Sequence, residues 1–124
     1  MIISIYAALL ALFYVYLSLN VITVRRAAQI SLGDGENPQL QRAIRAHGNF
    51  IEYVPLAVIL LFLAEYQGLA SHYCHALGAL LFIGRVFHNL SMVEENIKYR
   101  QIGTIATFLT IIISAFIILL SRFS

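Results

Sequence analysis

The sequence predicts an all-α integral membrane protein with one domain, residues 1–124, folded as a bundle of four spanning helices. Three observations carry this. Hydrophobic residues make up 60% of the chain and charged residues 11%, whereas a soluble domain carries about 25% charged residues. The mean hydropathy is +0.83. The 124 residues hold four apolar runs separated by short polar connections, and about 20 apolar residues suffice to cross a bilayer. No space remains within them for a separate soluble domain.

The first helix is expected from about Ile2 to Val24, with Tyr6, Tyr14 and Tyr16 along it. It lacks the basic leader region and cleavage site of a secretory signal, so it reads as retained. Arg25 and Arg26 end the apolar run and read as an orienting signal at the membrane surface. The stretch from Ser31 to Pro38 is rich in Gly, Asp, Asn and Pro and reads as a turn. Pro38 suits the first turn of a second helix, expected from Gln39 to Tyr66. Pro55 falls inside that helix, where it removes one backbone hydrogen bond and predicts a kink. After a short reversal, a third helix is expected from His72 to Met92, with Gly78, Ala79 and Gly84 suited to close packing. A polar loop from Val93 to Arg100 leads to a fourth helix from Ile102 to Leu120, with Arg122 just beyond it.

The net charge of +2 is too small to argue for nucleic acid. Its distribution says more. Arg25, Arg26, Arg42, Arg45, Lys98 and Arg100 belong to the two connections on one side. The positive-inside rule places those connections in the cytoplasm and both termini outside. The single cysteine, Cys74, excludes an intrachain disulfide and reads as a small apolar packer. No His, Cys, Asp and Glu cluster has ligand spacing, so no metal is expected.

Arg42, Arg45, Asn49 and Glu52 are spaced by three, four and three residues, which places them on one narrow helix face. An almost wholly apolar run follows. Two arginines at a helix entrance also suit phospholipid headgroups, which explains Arg42 but not Asn49 or Glu52. A site with guanidiniums, an amide and a carboxylate suits a small zwitterion with excess negative charge. Arginine forks take carboxylates, and Glu52 takes an ammonium group. Arg85 lies in an otherwise apolar run, where burial in a bilayer costs at least about 2.5 kcal/mol. Glu52 is its expected partner, as a structural ion pair or as one that also orients ligand-binding groups. His47 falls on a different face from Arg45 and Asn49 and reads as an interface residue.

The pattern Arg-x-x-Arg-Ala-His-x-Asn-x-x-Glu-Tyr-x-Pro, here Arg42 to Pro55, resembles the second helix of the MAPEG family (membrane-associated proteins in eicosanoid and glutathione metabolism). Asn20 to Ala27 resembles the end of the first helix in the leukotriene-forming member, and Arg85-x-x-His88 the third helix of the prostaglandin-forming one. Arg100 looks like the family's thiol-activating arginine. The short chain looks most like the bacterial branch, which implies an inner-membrane location. The resemblance also implies a homotrimer that binds glutathione, as cosubstrate, between neighbouring subunits. By position, Arg25, Arg45, Asn49, Glu52, Tyr53 and His88 would hold glutathione, and Arg100 would stabilise its thiolate. That thiolate would attack a lipophilic electrophile or hydroperoxide arriving from the bilayer. The leukotriene-forming member has tyrosines where this chain has His88 and Met92, and Met92 cannot donate a hydrogen bond. A second reading is a non-catalytic membrane protein whose polar stripe is structural or binds another small anionic ligand.

Overall fold

The computed structural model describes residues 1–123, with side chains described through Ser121. It contains α1 (Ile3–Ala28), α2 (Pro38–Tyr66), α3 (Ser71–Glu94) and α4 (Ile97–Phe123). All four are long and apolar enough to cross a membrane. The 29 residues of α2 span about 43 Å at 1.5 Å per residue, more than the roughly 30 Å hydrocarbon core. Its polar first turns therefore project toward or past the headgroups.

Helix α2 starts where its local chemistry dictates. Asn37 Oδ1 accepts a hydrogen bond from the Leu40 backbone N–H at 3.0 Å, and Pro38 follows in the first turn. This satisfies one donor that the first turn leaves unpaired. The helix runs unbroken through Pro55. Helix α1 continues through Arg25 and Arg26, which form its last turn rather than its end. Helix α4 begins at Ile97, five residues before the expected Ile102. Asn96 Oδ1 accepts from the backbone N–H groups of Lys98 and Tyr99, at 3.0 and 3.3 Å. Asn96 thus caps a helix whose charged first turn reads as loop by hydropathy alone. Arg100 accordingly stands in that first turn, not in a connecting loop. At its far end α4 reaches Phe123, so the backbone of Arg122 is helical.

Helices α2 and α3 form the centre of the bundle, and each packs on all three other helices. Helices α1 and α4 flank them and do not pack on each other among the described residues. In lipid there is little hydrophobic drive between helices, so small residues and polar contacts set the packing. The α3–α4 seam shows this. Gly84 and Gly103 face each other, and a Cβ on Gly103 would lie 2.6 Å from the Gly84 carbonyl oxygen and 2.8 Å from the His88 backbone nitrogen. Gly103→Ala is therefore expected to force the two helices apart, at about 1–3 kcal/mol of overpacking strain. Thermal denaturation in detergent should show a lowered midpoint; an unchanged midpoint would contradict this close approach. Gly84 was anticipated as a packing residue. Gly103 was not, because an isolated glycine near a polar loop reads equally well as a turn.

The opposite end of the bundle is closed by Glu65. Its two carboxylate oxygens accept from the backbone N–H groups of Ile2 and Ile3, at 2.6 and 2.9 Å. A carboxylate from α2 thus caps the start of α1, which has no capping side chain of its own. Cys74 is fully buried, as its reading as an apolar packer expects. His47 faces α1, with Nε2 3.1 Å from Ser18 Oγ and its ring 5.0 Å from that of Tyr14. The outward faces of α1 and α2 are apolar, with Leu12 69% and Ile59 54% exposed in the isolated protomer. Such faces are compatible with acyl chains and not with water.

Candidate functional site

A cleft of about 380 Å³ opens between α2, α3 and α4, at the end that carries the two polar connections. Helix α2 contributes Pro38, Gln41, Arg42, Arg45 and Asn49; α3 contributes His88 and Met92; α4 contributes Arg100 and Thr104. The helical spacing of the stripe is the reason Arg42, Arg45 and Asn49 share one wall. The N-terminus of α4 also opens here, and its dipole adds a partial positive charge.

The charges in and beneath this cleft do not balance. Arg42 Nη1 lies 2.9 Å from Glu95 Oε1, and Arg45 Nη1 lies 3.5 Å from Glu52 Oε1. Both pairs are partly exposed, and such pairs contribute about 0–1 kcal/mol, so a ligand can displace them. Arg100 Nη2 donates to the Met92 thioether at 3.6 Å. Arg85 is 2% exposed. Its Nη2 donates to Asn49 Oδ1 at 2.7 Å and its Nη1 to Thr107 Oγ1 at 3.4 Å, while Nε has no partner. The Phe50 ring lies 5.8 Å from its guanidinium carbon. Among the described residues neither Arg85 nor Arg100 has a carboxylate partner. The site therefore carries an excess of two positive charges.

Glu52 is not the partner of Arg85. It stands seven residues from Arg45 on the same α2 face, with its side chain 51% exposed, and pairs with that arginine. A carboxylate at the rim remains hydrated, whereas against Arg85 it would need full desolvation. The polar atoms that do reach Arg85 are neutral: Asn49 from α2 and Thr107 from α4.

Of the residues anticipated for a ligand site, Arg45, Asn49, His88 and Arg100 line this one cleft. Glu52 joins it through Arg45. Tyr53 is half-buried and packs its ring edge-on against Phe108, with centroids 5.4 Å apart, outside the cleft wall. Arg25 stands apart, at the α1–α2 connection, where its Nη1 donates to the carbonyls of Gly33 at 2.6 Å and Ile30 at 3.4 Å. Within one protomer it holds that loop. Gln41, Met92 and Thr104 are lining residues that the stripe did not name. Gln41 precedes Arg45 by four residues and Thr104 follows Arg100 by four, so helical spacing from the anticipated residues was the available signal. No group of three or more potential metal ligands occurs among the described residues.

The MAPEG family model matches residues 3–120, nearly the whole chain. The chain belongs to the MAPEG family. The inner membrane protein YecN of Escherichia coli K12 is 33% identical over 113 residues, covering 91% of this chain and 86% of that protein. YecN of E. coli O6:H1 matches to the same extent. The matched region holds all the cleft residues of this MAPEG protein, and the four-helix bundle agrees with the membership.

Proposed function

We propose that this MAPEG protein is a glutathione-dependent transferase or peroxidase of the bacterial inner membrane, acting on a lipophilic electrophile or hydroperoxide. The observation that carries the reading is the cleft's composition. The cleft and the layer beneath it carry four guanidiniums, Arg42, Arg45, Arg85 and Arg100, against two paired carboxylates, Glu95 and Glu52. Glutathione has the complementary charges: two carboxylates, one ammonium and a thiol that becomes the nucleophile. Arg45 takes a carboxylate in bidentate fashion, Glu52 turns from Arg45 to the ammonium group, and Asn49 and His88 supply further hydrogen bonds. Arg100, in the first turn of α4, stabilises the thiolate.

The thiolate sulfur then bonds to an electrophilic carbon as the leaving group departs with its electron pair. With a hydroperoxide, the sulfur takes the terminal oxygen. An alcohol leaves, and a second glutathione reduces the sulfenic acid to disulfide and water. The apolar reactant reaches the cleft from the bilayer that surrounds the helices. A homotrimer fits this scheme, because Arg25 and Tyr53 lie outside the protomer's own cleft and a neighbouring subunit would complete the wall. The clustering of Lys and Arg at the cleft end supports a cytoplasmic mouth with both termini outside.

The second reading, a non-catalytic anion-binding membrane protein, is favoured by Met92, a thioether that cannot donate a hydrogen bond to a ligand and that instead accepts one from Arg100. Turnover in liposomes separates the two. Glutathione with an activated aryl halide, or with an alkyl hydroperoxide, should react at a rate that saturates in glutathione and exceeds the protein-free rate. Glutathione binding without turnover of either reactant would leave the non-catalytic reading.

A further inference from the structure

The Arg85–Asn49 hydrogen bond sets which end of an amide faces the ligand. A guanidinium donates and never accepts. The Asn49 atom 2.7 Å from Arg85 Nη2 is therefore the carbonyl oxygen, whatever the ambiguity of amide assignment. Arg85 is itself held on its other arm. The Thr107 hydroxyl donates to the Gly103 carbonyl at 2.8 Å, which leaves an oxygen lone pair to accept from Arg85 Nη1. A chain of hydrogen bonds thus runs from the α4 backbone through Thr107 and Arg85 to Asn49. Arg85 is 2% exposed and carries no carboxylate partner among the described residues. A buried cation of this kind is expensive in a membrane, and a neutral amide is a weak counterpart for it.

We propose that Arg85 is a positioning residue, which locks Asn49 with both amide N–H groups toward the cleft and so makes the site select a ligand oxygen that accepts. This rests on the glutathione reading of the cleft and deepens it. The occupant of the Asn49 subsite is a carboxylate or peptide carbonyl oxygen, never a donor such as the ammonium group. The ammonium is thereby left to Glu52, and the ligand has one orientation instead of two.

Asn49→Asp gives the decisive test, because it separates structure from recognition. Asp keeps the size and the acceptor atom, and supplies Arg85 with the carboxylate that it lacks. The variant is expected to melt at a higher temperature in detergent than the wild type. It nevertheless presents no N–H to the cleft, and its charge repels a ligand oxygen. Glutathione affinity by calorimetry should fall by at least about tenfold, the scale of a lost hydrogen bond to a charged group. Arg85→Lys retains a donor to Asn49 Oδ1 and should bind within a few-fold of wild type, while Arg85→Met frees the amide to turn and should bind more weakly than Arg85→Lys. Wild-type affinity in Asn49→Asp or in Arg85→Met overturns the positioning role and leaves the glutathione site intact. Failure of the wild type to bind glutathione overturns the site itself, and this inference with it.

Discussion

Arg100→Ala is expected to bind glutathione as the neutral thiol and to lose the ultraviolet absorbance of a bound thiolate. A free thiol has a pKa of about 8.5, so only a few per cent is ionised at neutral pH. An opposite charge within about 4–6 Å lowers a pKa by roughly 1–3 units. Arg100 would then raise the thiolate fraction at neutral pH to between about a quarter and nearly all. Two features support it in this role. Among the described residues its guanidinium has no carboxylate partner, and it hydrogen-bonds the Met92 sulfur. It also sits in the first turn of α4, where the helix dipole favours an anion. Turnover should fall with the thiolate fraction, by about tenfold or more, while affinity for glutathione changes less. An unchanged thiolate band in the variant would sink the assignment of Arg100.

Arg45→Ala should give the largest loss of affinity. Of the two cleft-wall arginines paired with a carboxylate, Arg45 is held the more weakly: its 3.5 Å contact with Glu52 is longer than the 2.9 Å contact of Arg42 with Glu95, and it is exposed. Exchanging that contact for a desolvated bidentate pair with a ligand carboxylate is favourable, since hydrogen bonds to charged groups are worth about 1.5–3 kcal/mol. Their loss corresponds to roughly a ten- to hundredfold rise in Kd. The variant also frees Glu52, whose charge then repels the second ligand carboxylate. Stability should hardly change, because an exposed pair contributes about 0–1 kcal/mol. Calorimetry and thermal denaturation on the same preparation separate the two effects. A variant that binds glutathione as tightly as wild type would place the ligand carboxylates elsewhere.

The bundle and the stripe were legible because both follow from periodicity. Apolar runs of spanning length give the four helices, and a spacing of three, four and three residues puts Arg42, Arg45, Asn49 and Glu52 on one face whatever that face contacts. Contacts between helices were less legible. Glu52 and Arg85 invited pairing as opposite charges in apolar surroundings. Depth and rotation about the helix axis, which sequence does not report, place Asn49 against Arg85 and leave Glu52 at the rim. The start of α4, at Ile97, is hidden from hydropathy for a related reason. Hydropathy detects the part of a helix inside the bilayer, and Lys98 and Arg100 lie on a charged turn that Asn96 caps. The loop-holding role of Arg25 depends on how Gly33 turns its carbonyl back toward α1, which no spacing rule encodes.

The central claim, that the cleft between α2, α3 and α4 is a glutathione site, is most directly tested by calorimetric titration of glutathione into the detergent-purified wild-type protein. The cleft's charge excess predicts saturable binding with a dissociation constant in the micromolar to millimolar range, competed by other small dianionic peptides. Absence of any binding heat from a folded, monodisperse preparation would contradict it, and would leave the polar stripe of this family member as a structural network or a site for a different anion.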